Sequence, residues 1–231
     1  FGSFSPTDMR KAMAGKSIAV NPVIGPYTAG FSGSSSKKDL ENFFQLFHLS
    51  VTEPRRDSAL YISFLQRSKA QVAMLSANPQ IAFIDTLYQV LYENNPLAPT
   101  AVPRAANYDK INLDRALEIY KEQLGDAAGM HVTIVGSFNE DTVISLLEKY
   151  VASLSASKPR NYVDNKVRPF KGQNDFQFKK GKDDKSLILG VFHGEVPYNA
   201  TTELQLEGLS EVMNISIIEE MREKIQGIYG G

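Results

Sequence analysis

The first fifty residues carry the pattern that most constrains the fold: two short strand-like runs followed by an amphipathic helix. Residues 16–20 and 26–32 predict two strands separated by a Pro/Gly turn. A helix is predicted from about Ser36, with Ser36 and Asp39 as a capping box. Its apolar residues recur at i, i+3, i+4 and i+7, namely Leu40, Phe43, Phe44 and Phe47. This order is typical of α+β proteins.

The apolar spacing of residues 51–150 predicts further helices and one further strand. Helices are predicted at 57–75, 79–92 and 112–124, and a Pro-rich connector separates the last two. A strand at 131–135 then precedes a helix from about Asn139. This part of the chain therefore alternates helices with short extended segments.

The pattern restarts after a predicted linker at 152–172, which is rich in Ser, Lys, Pro and Asn. Four features follow in order: alternation at Phe176 and Phe178, a charged turn at 179–185, a strand from Ser186 to His193 and a helix from about Thr202 to Ile225. The order repeats that of residues 16–49, which indicates an internal duplication that stops after its first third.

Composition excludes several classes of partner and site. The 25 basic and 26 acidic residues leave a formal charge of −1 without a long same-sign run, which argues against nucleic acid and anionic membrane surfaces. The chain has no cysteine, so disulfides and thiolate metal sites are excluded. No apolar run approaches the roughly 18 residues of a membrane helix. Both ends, Phe1 and Gly231, are expected to be boundaries within a longer protein, and a signal peptide would lie upstream.

Motifs for a complete catalytic site are missing. The three histidines, His48, His131 and His193, have no second histidine or glutamate at a metal-binding helical spacing, so structural or surface roles are expected. The glycine-rich turn at 30–36 lacks the Gly-Lys-Ser/Thr ending of a phosphate-binding loop. The adjacent acids at 183–184 and 219–220 are expected to be solvated, and there is no G-x-S-x-G elbow. No metal or cofactor is expected in this chain.

The C-terminal segment holds the sharpest candidate site. Arg222 falls at the end of the long helix, Gly227 can terminate that helix, and Tyr229 is expected to begin a strand. A guanidinium and a phenol at such a corner can both donate hydrogen bonds to a peptide carbonyl or its oxyanion. From spacing alone, a surface arginine at a helix end and a strand tyrosine are the better explanation of the pattern.

Several stretches resemble a known family. The run REKIQGIYGG resembles the R-x6-Y segment of the pitrilysin/insulinase family of zinc metallopeptidases, the inverzincins. Four further stretches agree with it in order and spacing: GFSGSSSKKDLENFFQLFHL, TEPRRD, HVTIVGSFNEDTVISLLEKYVASL and KSLILGVFHGE. The resemblance covers nearly the whole chain.

The resemblance implies a fold and a division into domains. Family members are built from α/β units in which helices pack on one side of a mostly antiparallel sheet, and two halves enclose a chamber. One half carries the H-x-x-E-H zinc motif, and the other supplies the arginine and tyrosine that hold the substrate. Residues 1–165 would then be a non-catalytic unit of the C-terminal half, and residues 166–231 the beginning of a second, truncated unit.

The resemblance also implies roles for individual residues. Arg222 and Tyr229 match the substrate-binding pair, nothing matches the metal ligands, and the helix after Ser36 has lost the inverted zinc signature. Gln226 stands where many relatives have glycine, a departure that can alter the corner between Arg222 and Tyr229. This chain alone is expected to be inactive.

The function implied is that of a substrate-holding part of a zinc-dependent endopeptidase. The partners would be a peptide substrate and a catalytic half, in the same or a partner chain, and that half would bind the zinc. The location implied is periplasmic or extracytoplasmic. Two alternatives stay open: a scaffold or chaperone-like homologue without peptidase activity, and an unrelated α+β ligand-binding module. A truncated second unit would leave apolar surface open, so self-association, or packing of 176–231 on the first unit, is expected.

Overall fold

The computed structural model describes residues 1–157, 161–182 and 186–227, in two compact units, residues 1–182 and 183–231. The first unit contains α1 (Pro6–Ala12), β1 (Ile18–Ile24), β2 (Ala29–Ser35), a 3-10 turn (Lys37–Asp39), α2 (Leu40–Thr52), α3 (Ser58–Ala77), α4 (Pro79–Leu91), α5 (Ala105–Tyr108), α6 (Leu113–Leu124) and α7 (Glu140–Tyr150). The second contains α8 (Ala200–Ile217) and a π-helical turn (Ile218–Lys224). The α+β class is confirmed in this coarse form, and the domain boundary at 165 stays a prediction.

The two predicted N-terminal strands form an antiparallel hairpin. β1 pairs with β2 from Ile18 opposite Ser35 to Ile24 opposite Ala29. The prediction ended the first strand before Pro22, but the strand continues through it, opposite Phe31. Proline lacks an N–H and is tolerated in an edge strand, and within the described residues this sheet has only these two strands.

The predicted capping box at Ser36 and Asp39 is wrong, although the helix follows as expected. No side-chain cap forms at Ser36. Instead the Asp39 carboxylate accepts from the Ser36 hydroxyl at 2.6 Å and from the backbone N–H of Ser17 at 3.0 Å. These bonds, the one from Ser36 first, lower the pKa of Asp39. The carboxylate therefore ties the start of the hairpin to the start of α2.

The core of the first unit lies where α2 and α7 meet. Phe44 is 2% exposed, packs edge-on against Phe43, and stacks on Tyr150 of α7 with ring centroids 6.5 Å apart. Phe47, three residues further along the same face of α2, packs edge-on against Phe31 of β2. The buried apolar residues of the described chain are Phe44, Val51, Val72, Leu91, Val102, Leu124, Val143, Leu146 and Leu154.

Gly33 is required where the Phe43 ring crosses β2. A Cβ at Gly33 would lie 2.6 Å from the Phe43 ring and would also overlap the Ala19 carbonyl oxygen. Gly33→Ala is expected to lower the free energy of unfolding by about 1–3 kcal/mol, because backbone on one side prevents relief of the overlap. Urea denaturation followed by circular dichroism measures this. The control is Gly30→Ala in the same strand, where a Cβ meets nothing within 4 Å; equal losses in both variants would contradict the packing described.

Two predicted strands are not strands in the structure. Residues 131–135 and 186–193 have no regular secondary structure and no hydrogen-bonded partner strand among the described residues. Their apolar side chains are largely exposed, Val135 by 92% and Ile188 by 86%. Apolar composition predicts an extended backbone, but a strand forms only when a neighbour satisfies its N–H and C=O groups.

The second unit buries none of its described residues. Glu203, Glu207 and Glu211 share one face of α8, and Thr, Gln, Ser and Asn residues lie elsewhere on the helix. Its large apolar residues are nevertheless exposed, among them Leu204, Leu209 and Val212. A group of exposed apolar side chains is normally a contact surface. The helix predicted from Thr202 to Ile225 is confirmed, with its last turns widened to π geometry. In the described ranges, no helix is both long enough and apolar enough to span a bilayer.

Candidate functional site

Helix α2 is held in place by structural contacts of its polar residues. Nδ1 of His48 donates to the backbone oxygen of Tyr150 at 2.9 Å, and this accounts for the histidine at the end of α2. The Glu41 carboxylate accepts from the Lys149 ammonium at 3.0 Å and from the Tyr150 hydroxyl at 3.1 Å. The bond from Lys149 is the main reason why the pKa of Glu41 lies below its ordinary value. These bonds attach both ends of α2 to α7.

A third contact fixes α2 from the side of α6. The Tyr120 hydroxyl donates to the backbone oxygen of Ser50 at 2.9 Å. Burial raises the pKa of Tyr120 to about 12, so the phenol stays protonated as a donor at any physiological pH. Ser50 is itself fully buried, and its hydroxyl donates to the oxygen of Leu46. These contacts hold α2 in the packed core of the first unit.

The structure does not bring the three histidines together into a ligand set. Within residues 1–157, 161–182 and 186–227, no group of three or more His, Cys, Asp or Glu side chains is placed to hold a metal ion. His48 is committed to Tyr150, and His193 lies in the second unit. A zinc site needs three or four convergent ligands, so the described residues do not fit zinc.

Arg222 lies in the π-helical turn that continues α8. Its side chain is about half exposed, and Nε lies 3.6 Å from the Glu223 carboxylate. Surface pairs at this distance contribute little, so most N–H donors of the guanidinium are not committed to Glu223. Arg222 is therefore an exposed, cationic group at the end of a long helix, as predicted.

The helix end after Arg222 differs from the prediction. Gln226, and not Gly227, adopts the left-handed conformation, with φ of 56°. The N–H of Gly227 donates to the Met221 oxygen at 2.9 Å and closes the turn. Left-handed backbone favours glycine, so the glutamine at this position introduces local strain next to the candidate site.

Tyr229 lies outside the described residues. Its predicted place beside Arg222, and the strand predicted to start there, therefore stay predictions. The charged turn at 179–185 and the acid pair at 183–184 also fall wholly or partly outside the described ranges.

One polar cluster was missed by the sequence analysis. Asp85 lies on α4 and is 8% exposed, and its Oδ2 accepts from Nη1 of Arg104 at 2.8 Å. Arg104 follows the Pro-rich connector, 19 residues from its partner. The available signal was an aspartate within the apolar periodicity of residues 79–92, because a buried carboxylate requires a cationic or hydrogen-bonding partner.

Comparisons with known proteins identify relatives across the whole chain. The family described as peptidase M16 inactive domain matches residues 110–231. The probable zinc protease PqqL of Haemophilus influenzae is 22% identical over 231 residues, and the match covers 99% of this chain and 24% of that protein. The protein of the same name from Escherichia coli K12 is 20% identical over 244 residues, with the same two coverages.

A solved structure has the same fold. The crystal structure of the periplasmic protease PqqL from Escherichia coli matches with a TM-score of 0.71 and 16% identity, over 99% of this chain and 25% of that one. The chain thus spans about a quarter of the length of the relatives it matches. The inactive-domain match extends over more than half of this chain and includes Arg222. The chain belongs to the M16 peptidases, the pitrilysin/insulinase family of zinc metallopeptidases, and contains sequence of their inactive domain.

Proposed function

We propose that this chain is the substrate-holding, non-catalytic part of a zinc-dependent endopeptidase that hydrolyses peptides in an enclosed chamber. The observation that carries the proposal is the inactive-domain match over residues 110–231, which includes both members of the candidate pair, Arg222 and Tyr229. The contacts of α2 support the proposal. In a catalytic unit this helix would carry the zinc motif, whereas here its side chains pack against Phe31 and Tyr150 and bond to α7.

In this proposal, Arg222 and Tyr229 act on the substrate and not on the metal. The guanidinium of Arg222 donates to a carbonyl oxygen of the bound peptide, and the phenol of Tyr229 donates to the oxygen that gains negative charge during hydrolysis. The exposure of Arg222 and its weak pairing with Glu223 support a role in binding.

The partner in this proposal is a catalytic half, in the same or a partner chain, that binds the zinc. This chain's described residues do not fit the metal. The names of the relatives support the assignment, because two are called probable zinc proteases. The structural relative is described as periplasmic, which supports the same location here.

The finer architecture belongs to the same proposal. Residues 1–165 form one α/β unit, and residues 166–231 begin a second unit whose sheet is completed by further chain. The exposed apolar surface of α8 and of residues 186–193 supports this, since such surface requires cover. Without that cover, the 231-residue chain is expected to self-associate.

Replacing Arg222 tests the proposed binding role. In the longer parent protein, Arg222→Gln is expected to reduce kcat/KM for a quenched fluorescent peptide by about 10-fold or more, because hydrogen bonds to charged groups contribute roughly 1.5–3 kcal/mol. Arg10→Gln, an exposed arginine of α1, is the matched control and should leave kcat/KM unchanged. An unaltered kcat/KM in Arg222→Gln would contradict the binding role.

A further inference from the structure

An open groove lies on the unit of residues 1–182. Helices α3 and α4, the connector before α5 and the segment 178–180 enclose a cavity of about 570 Å³. Its lining combines the polar side chains of α4 with three apolar residues, Val72, Ala82 and Val102, which we call the floor. Val72 and Val102 are themselves buried, so the floor is part of the packed core and does not depend on mobile surface groups. This gives the groove a firm, apolar base.

The far wall of the groove is anchored by backbone and aromatic contacts. The N–H of Phe170 donates to the oxygen of Leu91 at the end of α4, at 2.8 Å. Phe176 and Phe178 both pack on Phe83, with ring centroids 6.0 and 6.1 Å away. Lys180 then donates to the backbone oxygen of Ser76 at 2.9 Å. The groove is therefore preformed, which lowers the entropy lost on binding.

The charged groups that line the groove are mostly cationic. Arg104, Lys179 and Lys180 face one carboxylate, Asp85. The Arg104 side chain uses Nη1 for Asp85, and among the described residues its guanidinium forms no other hydrogen bond. Likewise, Lys179 is exposed and forms no hydrogen bond or ion pair inside the described ranges. Arg104 neutralises Asp85, so the positive charges of Lys179 and Lys180 remain unbalanced among the described residues that line the groove.

We propose that this groove binds an acidic peptide segment in an extended conformation. Carboxylates of the peptide pair with Arg104 and Lys179, and the intervening apolar side chains lie on the floor formed by Val72 and Val102. A nucleic acid fits less well, because the floor carries no stacked aromatic platform and the chain as a whole has a formal charge of −1. This site is separate from the proposed Arg222–Tyr229 pair and does not depend on hydrolysis by a parent protein.

Fluorescence anisotropy with a defined peptide tests the proposal on the 231-residue chain. The probe is a fluorescein-labelled decapeptide of alternating Glu and Ala. The control peptide has the same label and length, with Gln in place of every Glu. The Glu peptide is expected to bind, more weakly as salt increases, and the Gln peptide to bind several-fold less tightly. Lys179→Gln with Lys180→Gln is expected to weaken binding about 2- to 5-fold, because it removes the partly exposed pair with Lys179 and the neighbouring positive charge of Lys180.

Two further variants separate groove charge from other effects. Lys179→Gln alone keeps the bond of Lys180 to Ser76, which holds segment 178–180 in place. Weaker binding in this variant is therefore caused by the lost charge and not by movement of that segment. Lys110→Gln with Lys121→Gln removes the same charge from exposed positions outside the groove and should bind the Glu peptide normally. Circular dichroism verifies that each variant is folded.

Four results would overturn the proposal. These are no binding of the Glu peptide, equal binding of the Gln peptide, equal losses in the groove and control variants, and tighter binding of a single-stranded oligonucleotide of the same charge. Peptidase activity is not measured, so these outcomes are independent of the proposed hydrolytic function.

Discussion

Replacing Tyr229 by phenylalanine in the longer parent protein is expected to lower kcat by about 10- to 1000-fold, in the range of lost single donors to an oxyanion. The change removes one hydroxyl and leaves the ring, so it isolates the effect of the hydrogen-bond donor. A donor that acts when charge develops on the substrate oxygen should alter kcat more than KM. Steady-state cleavage of a quenched fluorescent peptide gives both constants.

The matched control removes a phenol hydroxyl from an exposed position. Tyr162 lies in the predicted linker at 152–172 and is 71% exposed. Tyr162→Phe should therefore leave kcat unchanged. Zinc content must be equal in both variants, so that a loss of metal does not imitate a loss of the donor. Unchanged turnover in Tyr229→Phe would defeat the oxyanion role.

Phe44→Ala is expected to lower the free energy of unfolding by about 3–5 kcal/mol, a large part of the stability of a typical domain. Phe44 is almost completely buried and contacts rings from both α2 and α7. Its removal leaves a cavity at the contact that also carries the bonds from Glu41 and His48 to α7. Urea denaturation followed by circular dichroism measures the loss.

An exposed aromatic residue in the same unit is the control for Phe44. Tyr27, in the hairpin turn, is 81% exposed, and Tyr27→Ala should change the free energy of unfolding by less than about 0.5 kcal/mol. A loss below about 1 kcal/mol in Phe44→Ala would show that the α2–α7 contact is not the core of this unit.

The helices could be predicted from the sequence because their signals are local. The apolar spacing of residues 40–47 and the N-cap asparagines at 78, 112 and 139 lie within one or two turns of the elements they specify. Helix ends were more difficult, since Asp39 bonds to Ser17, 22 residues away, in place of the nearby cap.

Strands and the groove depend on partners far along the chain. Residues 131–135 have strand composition, but no spacing in the sequence shows whether a neighbour is present to complete the ladder. The groove combines α3, α4, the connector before α5 and segment 178–180, and only their packing brings Asp85 to Arg104 and Lys179. The position of Arg222 at a helix end was predictable from local pattern, whereas the left-handed Gln226 was not.

Zinc content, measured by elemental analysis on this chain and on the longer parent protein, tests the substrate-holding account most directly. Cleavage of a quenched fluorescent peptide is recorded on the same samples. The account predicts a zinc-free, inactive chain and a zinc-loaded, active parent. A zinc-free, inactive parent would favour the scaffold alternative. Stoichiometric zinc in this chain would contradict the account outright, because His48, His131 and His193 would then have roles that the proposed division between two halves does not allow.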